Sequence, residues 1–575
     1  MLDKEVNVYY NIFIVYFQNW RFTMREIKNT KRSFMNNVGI VLFSQLAVKM
    51  LGFIYRIIIT NFKGFGDTGN GFYSAGFQVY TVLLAISSVG IPNAISKMVS
   101  EKLAVNDKYG AQKIFKTALI LFAGIGLVFS ILLFAGADFI SKYIIPMDGV
   151  QYTMKALSPS IFFVCISSVI RGYFTGMQDM RATSSSQILE QIFKCTLTIL
   201  FVYVAIGQSP EIMAAAANLA SSAATVISVT YLFIFYKKNG LKFTDTDKKT
   251  DSKVSMGKLM KTILMISIPI SLGSVITAIN RVIDTATITR GIEIAFAGGI
   301  PAFGNTPAIF SPTPQQLNDE AVRLAGLLSK SDTLINLPLS LNIAFSTVLV
   351  PAIASALTVG NVKEASQKIN YSMLISILLI LPCAAGYIAL AHPIYKMIYP
   401  NAALGSDLLQ LSAIALIFSA LNQTMSGSLQ GIGKIYTPAT GLLLGCIAKI
   451  ILNILLIRQP SINIYGAAIS SIVCQVITFT VSFTVLSKNI PVKLSFVKYL
   501  LKPIGAAGIM GVSAYLVYIL VTNISGSNFI GTCVAIVFAA VIYFTCVVMF
   551  KILSVEEVEM LPFGNKLSKI IKKFS

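Results

Sequence analysis

Long apolar runs, separated by short polar segments, dominate the sequence. A window of about 20 mostly apolar residues is long enough to span the roughly 30 Å hydrocarbon core of a bilayer. By this criterion the pattern predicts fourteen membrane-spanning helices, with two longer connections, a polar link at 237–258 and a Gly/Pro-rich loop at 291–328. The predicted spans lie near 36–60, 74–96, 113–135, 153–173, 184–206, 211–236, 259–289, 329–357, 367–390, 405–428, 437–457, 464–486, 499–522 and 526–550.

The composition narrows the class of protein further. The chain has 46 Lys and Arg against 24 Asp and Glu, a net charge of +22, yet only 12% of its 575 residues are charged. A basic soluble protein that binds nucleic acid would spread its Lys and Arg over polar segments, so we expect no nucleic-acid partner. The only histidine is His392, and the seven cysteines lie in apolar stretches without CxxC spacing. We therefore expect no metal site, no cofactor and no catalytic residue.

The positions of the basic residues predict the orientation in the membrane. With the N-terminus inside, 32 Lys and Arg fall in cytoplasmic segments and 8 in outer segments. This bias follows the positive-inside rule and fits an even number of spans with both termini in the cytoplasm. We therefore predict a multi-pass protein of the bacterial cytoplasmic membrane. The apolar run at 6–17 is too short to span, and we favour Met24 as the true start over an interfacial helix there.

The two halves of the chain resemble each other. The segment RGYFTGMQDMRAT at 171–183 aligns with SGSLQGIGKIYTP at 426–438, with two glycines in register, and Lys194 aligns with Lys449 (449 − 194 = 255). We therefore predict an all-α membrane protein with two parallel six-helix repeats plus two C-terminal helices. The predicted parts are a leader at 1–33, an N-lobe at 34–236, a linker at 237–258, a C-lobe at 259–487, a final helix pair at 488–552 and a basic tail at 553–575.

Several motifs match a known family. MLGFIYR at 50–56, GIPNAISK at 90–97, RGYFTGMQDMRATSSSQILEQIFK at 171–194 and LVPAIAS at 349–355 resemble the multidrug/oligosaccharidyl-lipid/polysaccharide exporter superfamily. Within it the chain is most similar to the stage V sporulation protein B branch, which is related to the MurJ lipid II flippases. The resemblance covers about residues 30–550. It implies two helix bundles around a central cavity, alternating access and a lipid-linked sugar as the transported molecule.

Ionisable residues inside a span are costly, so each suggests a function. In the first span, Gln45, Lys49 and Arg56 share one helical face. The resemblance implies that basic residues on either side of the LGF segment at 51–53 line the cavity, and Lys49 lies just before this segment, separated from it by Met50. Tyr55 occupies the position after the LGF segment where the second basic residue is expected, and Arg56 follows it.

The fifth span carries Gln187, Glu190 and Lys194 close together. Glu190 and Lys194 are spaced i,i+4, so an ion pair within the helix is one interpretation and a cavity role the other. The repeat partner Lys449 has glycine four residues earlier, at position 445, where Lys194 has Glu190. Asn453 follows Lys449 one turn later. Lys449 is therefore the better candidate for an unpaired cavity cation, and pairing by an acid on another helix is the alternative.

Two further spans add acids. Arg281 and Asp284 are spaced i,i+3 in the seventh span, which predicts a pair within that helix. Asp332 opens the eighth span, where Thr333 replaces the arginine that the lipid II flippases lead us to expect next. The deep acids Glu190, Asp284 and Asp332 are candidates for coupling to Na⁺ or H⁺.

The charges predict the transported molecule. Five deep bases, Lys49, Arg56, Lys194, Arg281 and Lys449, outnumber the three deep acids and favour an anionic group such as a pyrophosphate. We predict a monomeric flippase that moves a lipid-linked oligosaccharide of the undecaprenyl-pyrophosphate type from the inner to the outer leaflet. The alternatives are a cation-coupled multidrug exporter, a membrane glycosyltransferase or polymerase, and a non-transporting scaffold in wall or spore assembly.

Overall fold

The computed structural model describes residues 34–85, 90–241, 255–302, 308–358, 360–491 and 495–553. Within them it contains fifteen α-helices and one hairpin of two short strands, Gly299–Ile300 and Ile309–Phe310. The helices are α1 Phe34–Thr60, α2 Gly66–Ala85, α3 Ile91–Ala104, α4 Lys108–Phe139, α5 Val150–Gly176, α6 Arg181–Val204, α7 Pro210–Asn239, α8 Met256–Ala295, α9 Pro314–Thr358, α10 Val362–Ile398, α11 Ser406–Gly431, α12 Thr437–Leu456, α13 Tyr465–Asn489, α14 Lys502–Ser525 and α15 Asn528–Met549.

Most of these helices have the length and composition of membrane spans. Within the described residues, eleven are long and apolar enough to cross a bilayer. The predicted spans at 36–60, 74–96 and 329–357 coincide with helices that are not among the eleven. The all-α membrane fold is confirmed, and the number of fourteen spans stays a prediction. The leader at 1–33 with its start at Met24, residues 242–254 of the linker and the tail from 554 lie outside the described residues.

One predicted boundary is wrong, and one lies partly outside the described residues. The span predicted at 74–96 covers part of α2, which is described to Ala85, and the start of α3 at Ile91, with Pro92 in its first turn, while residues 86–89 are outside the described ranges. Proline lacks a backbone N–H and is tolerated there because the first turn leaves that donor unpaired. The predicted loop at 291–328 is shorter, since α8 extends to Ala295 and α9 begins at Pro314. In the segment from 314 to 328, Ala321 and Leu324 are buried at helical spacing, a pattern that the search for apolar windows overlooks.

The duplication predicted from sequence is confirmed by the helix starts. Helices α4 to α7 begin at 108, 150, 181 and 210, and α10 to α13 begin at 362, 406, 437 and 465, which is 254 to 256 residues later in each case. The residues that precede α5 and α11, Gly149 and Gly405, both adopt the left-handed conformation, with φ of 105° and 95°. Only glycine adopts this conformation without strain, so α5 and α11 begin in the same way.

The aligned glycines of the repeat occupy matching contacts. A Cβ on Gly172 or Gly176 would press against Pro92 and Val99 of α3. A Cβ on Gly427 or Gly431 would press against α9 in the corresponding region, from Ser346 to Ile353. Each pair therefore permits a close helix crossing in its own half. In the second half, helix α9 stands where the first half has α2 and α3.

The last two helices pack on the second half of the chain. Met510 and Ala514 of α14, with Ala535 and Ala539 of α15, share a buried cluster with α10 and α11. The largest buried cluster lies in the first half around α5 and extends to α8 and the start of α9. We use the names N-lobe and C-lobe for the predicted ranges 34–236 and 259–487.

Candidate functional site

Charged side chains in the middle of three helices face an open cleft. Lys49 on α1, Arg281 on α8 and Asp332 on α9 are all exposed, although each lies well inside its helix. Lys49 lies within electrostatic range of Arg281 and of Lys194 on α6. Because α1 and α6 belong to the N-lobe and α8 and α9 to the C-lobe, the cleft lies between the two lobes.

The N-lobe wall of the cleft brings α1 and α6 together. The Gln45 amide donates to the Gln187 side-chain oxygen at 3.0 Å, in an exposed position. A Cβ on Gly52 would lie 3.4 Å from the Gln191 amide nitrogen, so the two helices pack closely here. The predicted polar face of the first span is therefore turned toward the fifth, with Lys49 one turn from Gln45.

Lys194 is held by aromatic rings. Its ammonium lies 4.8 Å from the centre of the Phe77 ring and 5.8 Å from that of Tyr55. Of the two interpretations from sequence, the ion pair of Lys194 with Glu190 is not formed, because Glu190 bonds Arg171 at 2.7 Å. Among the described residues Lys194 has no carboxylate within 4 Å, so its charge is available to a ligand in the cleft.

Arg171 was counted from sequence among the cytoplasmic basic residues, and the structure gives it an internal role. Its guanidinium donates to Glu190 at 2.7 Å, to Ser186 at 2.9 Å and to Ser228 at 3.0 Å. These partners lie on α6 and α7, so Arg171 joins three helices of the N-lobe. The signal that sequence reasoning missed is the position of Arg171, which directly follows an apolar run as the first residue of RGYF.

Lys449 is buried and paired, contrary to our expectation of an unpaired cation. Its ammonium lies 2.6 Å from the Asp284 carboxylate, and only 2% of its surface is exposed. Asn453 donates to the same carboxylate at 3.2 Å and to the Thr287 hydroxyl at 2.8 Å. The predicted pair of Arg281 with Asp284 is also wrong, since Asp284 faces α12 while Arg281 faces the cleft. The sequence left open that an acid on another helix could pair Lys449, and Asp284 of α8 is that acid.

Asp332 is the acid of the cleft. It interacts electrostatically with Arg281, Arg56, Lys449 and Asp284. Within the described part of the chain it forms no ion pair, unlike Asp284 and Glu190. Thr333, which follows Asp332, is uncharged, so this position adds no cation to the cleft. Its hydroxyl donates to the backbone oxygen of Ser329 at 2.8 Å.

Arg56 reaches from the N-lobe to the C-lobe. Its guanidinium donates to the Ser329 hydroxyl on α9 at 2.6 Å and lies 4.4 Å from the centre of the Tyr73 ring. The Tyr73 hydroxyl in turn contacts the Tyr55 hydroxyl at 2.9 Å, and both tyrosines are buried. Arg56 therefore lies at the end of the cleft, in the contact between the lobes.

A small cavity opens beside Arg281. It has a volume of about 230 Å³ and lies between α2 of the N-lobe and α8 of the C-lobe. Thr81, Ser274 and Thr277 contribute hydroxyl groups to its lining, and Arg281 contributes the guanidinium. At roughly 30 Å³ for each water molecule, this is room for about eight waters or one compact polar group.

Sequence reasoning missed one ion pair that joins the lobes. Lys330, counted among the outer loop residues, is buried in α9 and lies 2.5 Å from Asp67 at the start of α2. Its position within the apolar run LAGLLSKSDTLINL could have revealed it as a residue of the helix. No group of three or more His, Cys, Asp and Glu side chains in the described ranges is suited to hold a metal ion.

Comparison with known proteins places the chain in a family. A family model described as "Polysaccharide biosynthesis protein" matches residues 34–357, more than half of the chain. The chain belongs to this polysaccharide biosynthesis family. A second model, described as "Lipid II flippase MurJ", matches residues 325–539. The predicted superfamily is thereby confirmed.

Individual relatives extend over most of the chain. It is 24% identical to stage V sporulation protein B of Bacillus subtilis, over 93% of this chain and 99% of that protein. It is 24% identical to the lipid II flippase MurJ of the same organism, over 77% of this chain and 80% of that protein. A solved structure of a lipid II flippase MurJ in an inward closed conformation superposes with a TM-score of 0.66 at 15% identity, covering 88% of this chain and 98% of that one. This last similarity concerns the fold alone.

Proposed function

We propose that the chain is a flippase of the bacterial plasma membrane. It would move a lipid-linked glycan with an anionic pyrophosphate, of the undecaprenyl-pyrophosphate type, from the inner to the outer leaflet by alternating access between the N-lobe and the C-lobe. Its relatives named as lipid II flippases support this substrate class. With both termini inside, the contact of Lys330 with Asp67 between the lobes faces away from the cytoplasm.

The charge balance of the cleft carries this proposal. Lys449 and Arg171 are neutralised by Asp284 and Glu190, so neither adds a free charge. Among the described residues of the cleft, four cations without a carboxylate partner, Lys49, Arg56, Lys194 and Arg281, then face the carboxylate of Asp332. An anionic headgroup loses its hydration on entering a membrane, and charge-assisted hydrogen bonds from such cations replace it. The amides of Gln45 and Gln187 and the hydroxyls beside Arg281 suit sugar groups.

Asp332 is the coupling site that this arrangement favours. Of the three acids considered from sequence, Asp284 and Glu190 already have a cationic partner, and Asp332 is exposed to the cleft. A carboxylate among several cations responds to any ion that enters the cleft, and either Na⁺ or H⁺ would serve. No cofactor takes part in this mechanism.

The same observations disfavour the alternatives. An exporter of organic cations needs a cleft in which acids predominate, and here the free charges have the opposite sign. A glycosyltransferase needs carboxylates free to act outside the membrane, whereas the Glu320 carboxylate is held by Arg323 through two hydrogen bonds of 2.7 Å. A scaffold would need none of the free cations. We therefore propose a transporter and not an enzyme.

The test measures transport and binding in matched variants. In cells depleted of their own lipid II flippase, wild-type protein should bring labelled undecaprenyl-pyrophosphate-linked precursor to the outer leaflet. Lys49→Gln combined with Lys194→Gln should lose this activity at an unchanged amount in the membrane. Purified double variant should bind lipid II about tenfold more weakly or worse, since a hydrogen bond to a charged group contributes roughly 1.5–3 kcal/mol.

The control removes a positive charge elsewhere. Lys97 forms an exposed pair with Glu101 on α3, with both side chains more than 60% exposed, so Lys97→Gln should transport like wild type. Wild-type binding should weaken as salt rises, because salt screens the cations. Full transport by the double variant, or lipid II binding that is independent of salt, would contradict the proposal. Export of an organic cation by the wild type, with no transport of the precursor, would favour the multidrug alternative.

A further inference from the structure

Lys330 is a fully buried lysine whose hydrogen bonds are complete. Only 1% of its surface is exposed. Its ammonium lies 2.5 Å from the Asp67 carboxylate and donates to the backbone oxygens of Ala402, at 2.5 Å, and Leu404, at 2.9 Å. An ammonium group has three donors, so each has a partner. The rings of Tyr395 and Tyr399 lie beside it, each with its centre 5.4 Å away.

These partners are divided unequally between the lobes. Ala402 and Leu404 belong to the connection between α10 and α11, in the same lobe as Lys330. Asp67 belongs to the first turn of α2, in the N-lobe. If the lobes separated here, Lys330 would keep two carbonyl oxygens, while Asp67 would lose its cation and turn toward the opening. Separation would therefore cost Lys330 its counter-charge and one of its three acceptors, so the pair contributes to holding the lobes together here.

The backbones at this contact approach as closely as glycine allows. A Cβ on Gly326 of α9 would overlap the Asp67 carbonyl oxygen, and a Cβ on Gly71 of α2 would overlap that of Val322. The ion pair is thus enclosed by two helices in direct backbone contact, one from each lobe. Water has little access to such a contact, and a buried pair is screened much less than an exposed one.

Other bonds between the lobes lie at the same end of the molecule. The Asn401 amide donates to the Asn61 backbone oxygen at 2.9 Å, between the connections that follow α1 and α10. The Asp148 backbone N–H donates to the Asn318 side chain at 3.0 Å. These connections are all predicted to lie outside. We call this set of contacts, with Asp67 and Lys330 at its centre, the outer seam.

We propose that the Asp67–Lys330 pair is the latch of the outer seam. Breaking this pair opens the cleft to the outside and moves the protein from its inward-facing to its outward-facing state. The role of the latch in transport rests on the proposed function. Its effect on access to the cleft is a property of the protein alone and is measured without any lipid substrate.

The experiment measures access to the cleft from each side. Asn336 is exposed one turn beyond Asp332, so Asn336→Cys places a thiol in the cleft. In the full-length protein, a membrane-impermeant maleimide should label this thiol weakly in intact cells and strongly in inside-out vesicles. With Lys330→Met or Asp67→Asn, labelling from outside should rise on the order of tenfold, which corresponds to about 1.4 kcal/mol in the equilibrium between the two states. Labelling from inside should fall at the same time.

The matched control breaks a similar pair within one helix. Glu320 and Arg323 lie 2.7 Å apart on α9, with side chains 11% and 14% exposed, so Glu320→Gln removes a half-buried ion pair without releasing the lobes. Its labelling should match the parent from both sides. Protein without Asn336→Cys gives the background from the seven native cysteines. Unfolding would raise labelling from both sides, so the opposite changes distinguish opening from damage.

A second variant keeps both charges. Gly326→Ala forces α2 and α9 apart at the Asp67 backbone, and it should raise labelling from outside as well. If Lys330→Met fails to reach the membrane, Asp67→Asn and Gly326→Ala decide the question. Unchanged labelling in both, at wild-type amounts in the membrane, would overturn the latch. A functioning latch in a protein that moves no lipid-linked precursor would overturn the proposed function instead.

Discussion

The two lobes use equivalent lysines in opposite ways. Lys194 on α6 and Lys449 on α12 occupy the same position in the repeat. Lys194 is half-buried against the rings of Phe77 and Tyr55, and it has no carboxylate partner within the described residues. Lys449 is buried and bound to Asp284 at 2.6 Å. A duplicated fold therefore provides one cation that is available to a ligand and one that is fixed within its lobe.

The neighbouring helix decides between these two roles. In the C-lobe α8 packs against α12 and presents Asp284 to Lys449. In the N-lobe α1 packs against α6 and presents Tyr55 to Lys194. A carboxylate fixes an ammonium through a strong, directional hydrogen bond, while an aromatic face attracts it more weakly and leaves its donors available. One residue in the adjacent helix thus changes a structural lysine into a candidate ligand-binding one.

The largest effect predicted from this comparison is on stability. Lys449→Met leaves the Asp284 carboxylate buried without its cation, which should cost about 3–5 kcal/mol. Lys194→Met removes no ion pair and should cost about 1 kcal/mol or less. The thermal unfolding of the purified proteins in detergent measures both. Lys449→Met combined with Asp284→Asn should recover most of the loss, and equal stability of the two single variants would show that the lobes do not differ in this way.

A smaller effect should appear within the N-lobe. Arg171→Met removes the cation from Glu190 and the donor to Ser186, so we expect a loss of about 1–3 kcal/mol. Lys194→Met serves as the control, since it leaves that network intact. If instead Lys194→Met destabilised the protein and Arg171→Met did not, Glu190 would be paired with Lys194, as the i,i+4 spacing suggests.

The smallest effect concerns the helix caps. Asp107 caps α4 and Asn361 caps α10, each by accepting a hydrogen bond from the backbone N–H three residues later. Replacing either by Ala should cost about 1 kcal/mol, and Asp107→Asn should cost less, because the C-lobe already uses an amide at this position. Stability curves of the three variants in chemical denaturant would show this order. Equal losses for Asp107→Ala and Asp107→Asn would mean that the charge, and not the cap, matters.

The same caps should differ in their response to pH. Burial alone would raise the pKa of Asp107, but hydrogen bonds from Lys102 and from the Gly110 N–H lower the pKa below its ordinary value of about 3.9. A carboxyl whose pKa is lowered by folding stabilises the protein above that ordinary value, and the contribution is lost as pH falls through the lowered pKa. The Asn361 cap has no such dependence. The difference between wild type and Asp107→Asn should therefore shrink in acid.

Sequence reasoning succeeded where a pattern is local or repeated. The aligned glycines and lysines of RGYF and its partner predicted the duplication that the helix starts confirm. The polar face of α1 predicted the contact of Gln45 with Gln187. It failed for ion pairs, because the i,i+3 and i,i+4 spacings of Arg281–Asp284 and Glu190–Lys194 offered local partners that the structure does not use. Lys330 was missed because it stands at the very start of the predicted span at 329–357 and was counted with the outer basic residues.

The sequence by itself determined the membrane class, the all-helical duplicated fold and the excess of deep cations, because apolar length, periodicity and composition are properties of single segments. Only the tertiary structure decided which cations are free. Asp284 reaches Lys449 across 165 residues and Asp67 reaches Lys330 across 263, and such pairs depend on how helices face one another. An unpaired charge is costly in a membrane interior. The relative orientation of the helices therefore decides whether a lysine is paired within the fold or exposed to the cleft.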